Sequence, residues 1–372
     1  MSARVAWIRR ARAAAAAILL VAAPRVAHTQ ERILVQGILD IEGWSTDSAS
    51  RLLARNEGRA SGLARLCVWS AFEPVSGVVA YLQMEVAGGS ALEEGTEVGI
   101  EQGGLRYTRS RALVVDAGMI APIVGMYANR HLSTRNPLIG EPDGYVVAYP
   151  LGVRVSGKTE TLDYRIGVIS LPVYNERYMP EPTATPHIAA GAGVTPHPGV
   201  RVGVSGTIGP WLDDATPAAA LDGRSWRGYE QRVAAADAEW SVGYLDLRGE
   251  LAHAWHEVPG HSKMVHGTSW YGEGSYAFTP RVFAALRVER NDYPYLKPVG
   301  TRWPARSMVV GNGEVGAGYR LAAGQALKVS YRRDRWGVPS AGGRQLPDGH
   351  ALAVQLSTAF DLLDLIASAR GR

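Results

Sequence analysis

The chain predicts an antiparallel transmembrane β-barrel of about sixteen strands. Three observations carry this. Short segments of alternating polarity recur throughout Ile33–Leu362, and the links between them run short, long, short, long. Spanning strands of an outer-membrane barrel are apolar on one face only, with tight turns at one end and longer loops at the other. Finally, the aromatic residues comprise 10 Trp and 16 Tyr against only four Phe. Trp and Tyr combine an apolar body with a polar tip, which suits a membrane–water interface.

Residues 1–30 stand apart. Arg4, Arg9, Arg10 and Arg12 precede the apolar run Ala13–Ala23, and Ala27-His28-Thr29 follows. The run is too short to span a bilayer as a helix, and the pattern is that of a secretory signal peptide. Residues 31–372 are expected to form a single barrel domain. The leader holds five of the 39 basic residues (Arg25 is the fifth) and none of the 35 acidic ones, so the remaining chain is nearly neutral. Nothing in that balance points to nucleic acid. Cys67 is the sole cysteine and cannot make an internal disulfide.

The alternation places strands at 33–46, 62–74, 77–89, 96–109, 112–124, 144–158, 162–174 and 186–196. The second half continues at 199–211, 229–243, 245–259, 267–279, 281–293, 308–321, 325–336 and 349–362. In Val78–Val86, the residues Val78, Ala80, Leu82, Met84 and Val86 share one face, and Tyr81, Gln83 and Glu85 the other. Side chains alternate across a strand, so one face meets lipid and the other water. Leu162–Val168 turns Asp163 and Arg165 inward. Val200–Ser205 turns Arg201 inward. Leu245–Leu251 does the same for Asp246, Arg248 and Glu250, and Val282–Glu289 for Arg287 and Glu289. Pro74-Val-Ser-Gly77, Thr195–Gly199 and Ala322-Ala-Gly324 are breakers suited to tight turns. The junction near Gly243–Leu245 lacks such a signal; it is split because about thirty residues is too long for one spanning strand. Beyond the leader no apolar run reaches eighteen residues.

The third long link, Gly125–Gly144, is the longest. It is expected to fold inward and narrow the lumen, with Arg130, His131 and Arg135 opposing Glu141 and Asp143. Opposed charges at a constriction set ion preference. Further pore-lining residues expected from the alternation are Glu85, Asp116, Arg154, Arg165, Arg201, Arg248 and Arg287.

Three other patterns stand out in the chain. His256-Glu-Val-Pro-Gly-His261 lies beside His253 and His266, but its two histidines are five apart and Pro259-Gly260 breaks any helix, so no metal is expected. Gly311–Gly316 matches a dinucleotide fingerprint literally but continues as a strand, so no cofactor is expected. Ser269, His253 and Asp246 have the residue types of a hydrolytic triad, yet no spacing brings them together and no G-x-S-x-G elbow occurs.

Asp116-Ala-Gly-Met-Ile-Ala-Pro-Ile-Val-Gly125, followed by Arg130 and Asn136-Pro-Leu138, resembles the strand-then-constriction segment of the phosphate-selective porin group. The resemblance implies a sixteen-stranded, trimeric barrel. The link carries acids as well as arginines, so weak anion preference is the expectation. The reading is a passive outer-membrane porin, exported through the periplasm, contacting outer-membrane lipid and passing small hydrophilic solutes or anions. A closed structural or adhesive barrel and a barrel enzyme acting on lipid or peptide are the alternatives.

Overall fold

The computed structural model describes residues 33–362, apart from 51, 145–147, 174–178, 181–183, 213–215, 217–220, 304–305 and 338–345. The expected leader and the tail beyond residue 362 lie outside the described residues. Sixteen antiparallel strands close into one barrel, each paired with its sequence neighbours and β1 with β16. They are β1 (Ile33–Thr46), β2 (Ser61–Val75), β3 (Val78–Gly88), β4 (Thr96–Ser110), β5 (Leu113–Met119), β6 (Leu151–Lys158), β7 (Leu162–Ile169) and β8 (His187–His197). The remainder are β9 (Val200–Pro210), β10 (Glu230–Val242), β11 (Leu245–His256), β12 (Val265–Ala277), β13 (Val282–Tyr295), β14 (Arg306–Ala322), β15 (Gln325–Trp336) and β16 (Gly349–Asp361). Closure leaves no sheet edge, so strand pairing satisfies the backbone polar groups that lipid cannot.

The barrel is polar inside and apolar outside. Val204 is 62% exposed on the outer surface while its neighbour Ser205 is buried inside; Val288 is 46% exposed between the buried Arg287 and Glu289. Leaving such valines against water forfeits about 25 cal/mol per Å² of apolar surface. The surface therefore fits an apolar medium. Tyr107, Trp240, Tyr276 and Tyr319 are outward and exposed near the short-turn end, where a membrane–water interface would place a girdle. The split between β10 and β11 falls at Gly243, whose φ of +59° makes the tight turn.

Three boundaries differ from expectation by five residues or more. β5 ends at Met119 rather than 124, β6 starts at Leu151 rather than 144, and β7 ends at Ile169 rather than 174. The inward link therefore spans 120–150. Gly118 marks the departure: its φ is +130°, and a Cβ there would sit 2.3 Å from the Gly103 carbonyl oxygen. Beyond it, Ile120 and Ile123 turn into the lumen and pack on Ile169 and Ala189. Alternation cannot separate apolar residues facing lipid from apolar residues packed inside the wall.

At the long-loop end, Met179, Trp211, Leu212, Leu221, Tyr229, Val258, Leu296 and Trp303 form an apolar cluster joining the fourth to seventh long links. Tyr229 donates to Asp222, which also accepts from the Gly260 N–H at 2.7 Å. These bonds, the Tyr229 hydroxyl first, hold the Asp222 carboxyl below its usual range, and burial pushes the Tyr229 hydroxyl up to about 12.

Candidate functional site: the inward link and its cavities

The wall holds the third long link largely through the link's backbone. Arg154 donates to the Ala121 carbonyl at 3.2 Å, and Arg165 to Ile123 and Gly125 at 2.5 and 3.1 Å. Ser205 accepts from the Gly125 N–H at 3.0 Å and Glu250 from the Met126 N–H at 2.9 Å. Farther along, the Lys328 ammonium reaches the carbonyls of Ser133, Asn136 and Leu138. Arg332 donates to the Glu141 carbonyl at 2.6 Å, and Glu289 accepts from the Asp143 N–H at 2.7 Å. All but the Ser205 bond are charge-assisted, within a largely enclosed interior, and stronger than neutral counterparts. They also satisfy backbone groups that no sheet pairs.

A cavity of about 460 Å³ lies on the long-loop side of this link, lined by Glu42, Trp44, Arg55, Arg65, Glu141, Asp143 and Arg332 among others. Two cavities of about 630 and 150 Å³ lie on the short-turn side; Arg135 lines both. His131 borders the 460 and 630 Å³ cavities. Its Nδ1 lies 2.7 Å from the Ala128 carbonyl and its Nε2 3.3 Å from the Tyr149 hydroxyl. The link thus separates spaces at the two ends of the lumen.

The expected constriction residues are distributed differently from the opposed set foreseen. Arg130 does not face Glu141 or Asp143. Its Nη2 donates to the Tyr271 hydroxyl at 2.6 Å and lies 3.5 Å from Glu250, with Glu239 3.8 Å from its Nε. It pins the link to β10–β12. Arg135 is exposed on the short-turn side, whereas Glu141 and Asp143 line the long-loop cavity. Glu141 therefore shares its cavity with Arg55, Arg65 and Arg332 instead. Sequence reasoning missed those three cations. Arg55 lies in the first long link, its guanidinium 4.1 Å from the Trp44 ring centroid, and burial lowers its pKa although Glu42 opposes that.

Of the expected pore-lining residues, Glu85 points inward and pairs with Arg65 at 3.3 Å, Arg154 lines the 630 Å³ cavity, and Arg248 the 150 Å³ one. Asp116 is fully buried between Arg106 at 2.7 Å and Arg154 at 2.8 Å. Arg165 holds link carbonyls. Arg201 bridges Asp163 and Asp237. Arg287 is 1% exposed between Glu273 and Glu314. These four point inward as the alternation requires, but their charge is spent on neighbours rather than on open space. Period-two alternation assigns a face, not a partner.

The other motifs disperse. His253 and His266 stack on the outer surface, with ring centroids 5.3 Å apart, while His256 is buried inside against Gln231. His261 reaches the Trp303 carbonyl at 3.3 Å. His253 accordingly shares no face with inward Ser269 or Asp246; it meets the Thr268 hydroxyl at 2.7 Å. Gly311–Gly316 lies within β14.

No known family's sequence profile matches the chain, and no curated protein matches it by sequence. Solved structures do resemble it in fold. An anion-selective porin from Comamonas acidovorans aligns over 88% of this chain and 99% of its own, with TM-score 0.59 and 11% identity. OmpF of Salmonella typhi, in complex with daunomycin, covers 88% and 97%, with TM-score 0.59 and 12% identity. OmpT, an outer membrane protein of Vibrio cholerae in its trimer form, covers 88% and 99%, with TM-score 0.56 and 9% identity. At these identities the likeness is one of fold: a sixteen-stranded barrel of the outer-membrane, porin-like kind.

Proposed function

We propose that the chain is an outer-membrane porin passing small hydrophilic solutes or ions by diffusion, with no chemical step. The observation that carries this reading is the third long link, held inside an apolar-faced barrel by wall charges, with polar cavities on both of its sides. A closed structural barrel has no need for a fixed partition between two hydrated spaces. The exposed valines and the aromatic girdle support placement in a membrane, and the leader pattern supports export through the periplasm. The resemblance of Asp116–Gly125 to the phosphate-selective group adds anion preference. Arg135 supports a weak preference, offset by Glu141 and Asp143.

Assembly as a homotrimer fits the short flank formed by β5–β7. Strands β6 and β7 have eight residues each. At about 3.3 Å per residue and a tilt near 40°, that is roughly 20 Å of height, short of the ~25 Å apolar band of such barrels. A neighbouring copy would cover this flank.

Conductance of the purified protein in a planar bilayer tests the pore. Stepwise, voltage-driven current is the expected result. A correctly inserted barrel without current would replace the pore with a closed structural barrel.

A further inference from the structure

We infer that the lumen is charged oppositely at its two ends, so that the pore rectifies ionic current. The inference rests on the pore reading above and adds a directional property to it.

The long-loop cavity is lined by five carboxylates, Glu42, Glu93, Glu141, Asp143 and Glu314, against three cations, Arg55, Arg65 and Arg332; Arg287, beside Glu314, offsets one of the five, and Glu289 and Glu85, beside Arg332 and Arg65, offset two of the three. The two short-turn cavities show the reverse. Arg106, Arg135, Arg154, Arg248, Arg320 and Lys328 line them, against Asp246 and Asp361. Asp116, behind Arg106 and Arg154, offsets one of those two, and Glu273, 4.0 Å from Arg248, offsets another. Among the described residues the short-turn side still keeps a cationic excess. The partition at 131–143 stands between the two regions, since Arg135 faces one and Glu141 the other.

A narrow passage with fixed charge of one sign concentrates the opposite ion. The long-loop end therefore gathers cations, and the short-turn end gathers anions. When the long-loop side is positive, cations enter through the acidic end and anions through the basic end. Both accumulate at the partition, and conductance rises. With the polarity reversed, both are drawn away from it, and conductance falls. Salt must abolish the effect, because each end acts only within about a Debye length of its wall, ~10 Å at 0.1 M and ~3 Å at 1 M.

The test is the current–voltage curve of the full chain in a planar bilayer under symmetric KCl. Thr134→Cys, on the short-turn side, fixes orientation: a bulky thiol reagent blocks current when added to the compartment that side faces. Larger current with the long-loop side positive is expected, about twofold at ~0.1 M salt and vanishing near ~1 M. The double variant Arg135→Gln/Arg320→Gln should lower the ratio, and Glu93→Gln/Glu141→Gln should lower it from the other end. A linear curve at low salt, the opposite polarity, or a ratio unchanged by salt or by both variants overturns the axial asymmetry while leaving the pore standing. Absence of any current overturns both readings.

Discussion

Arg287 and Glu314, on adjacent strands and 3.4 Å apart, together hold both polar groups of one glycine: Arg287 donates to the Gly140 carbonyl at 2.7 Å, and Glu314 accepts from the Gly140 N–H at 2.9 Å. The pair grips the link through its backbone, so the grip depends on where the chain runs rather than on which side chain the link presents. It also explains the glycine. A Cβ at Gly140 would lie 2.5 Å from Glu314 Oε2 and 3.2 Å from Arg332 Nη1. Gly140→Ala is therefore expected to lift the partition off the wall and change single-channel conductance. The barrel itself should survive, as judged by circular dichroism and resistance to detergent unfolding. Unchanged conductance would mean that the partition does not limit flow.

Removing Arg287 should be far more damaging. The guanidinium also donates to Glu273 at 2.5 Å and to the Asn136 side chain at 2.9 Å. Arg287→Ala leaves the buried Glu273 and Glu314 without their nearest cation, and breaking such a pair costs about 3–5 kcal/mol. Urea unfolding in lipid vesicles, followed by tryptophan fluorescence, should show a loss of this order. A loss below about 1 kcal/mol would place the pair among exposed ion pairs.

The outward register has its own test. Val204 and Val288 are exposed on the outer wall, and an arginine near the membrane midplane costs about 2–4 kcal/mol. Val204→Arg and Val288→Arg should destabilise the barrel by that amount in vesicles. The inward neighbours Gln83, Glu85 and Arg248, replaced by cysteine, should react with a water-soluble thiol reagent, while cysteines at Leu82, Met84 and Leu247 should not. Equal reactivity would reject the register.

The loops of the long-loop end should loosen in acid. Asp222 titrates below the ordinary carboxylate range because Tyr229 and the Gly260 N–H favour its charged form. A depressed carboxyl contributes stability above its unfolded pKa of about 3.9 and loses it as pH falls through the lower folded value. The protection of the Gly260 amide, its slowing relative to an unstructured amide at the same pH, should therefore fall below about pH 4. Asp222→Asn should show low protection of that amide already at pH 7 and little further loss of protection in acid. An acid-induced loss of protection that is identical in both proteins would assign the loosening to other groups.

The sequence foretold strands better than contacts, for a physical reason. A wall with one wet and one apolar face must alternate, and so Leu245–Leu251 or Val282–Glu289 announces its register residue by residue. The inward link obeys no such period. Ile120 and Ile123 looked like a continuing strand because packing inside the lumen demands the same apolar side chains as lipid does. The inward arginines were legible as inward. Whether each is exposed, as Arg135 is, or buried between carboxylates, as Arg201 and Arg287 are, depends on neighbours set by barrel closure. Arg55 and Arg65 were invisible as site residues because nothing local links them to Glu141, many residues downstream.

Arg130 and Arg135, five residues apart on the same link, face different surroundings. Arg130 is bonded to Tyr271 and sits beside Glu239 and Glu250, whereas Arg135 is exposed in the short-turn cavities. Their alanine variants should therefore differ in kind. Arg135→Ala removes an exposed charge from the cavity wall, so the reversal potential in a salt gradient should shift toward cations while stability stays within about 0.5 kcal/mol of the parent, as for other surface changes. Arg130→Ala removes a cation from beside the buried Glu250, so unfolding should be easier and open-channel current noisier. Its effect on reversal potential should be smaller than that of Arg135→Ala, because nearby carboxylates already balance the Arg130 charge. Reversal potentials and urea midpoints measured on both variants decide the matter. If Arg130→Ala moves selectivity as far as Arg135→Ala at unchanged stability, then Arg130 faces the ions after all, and the link is not fixed to the wall as its hydrogen bonds describe.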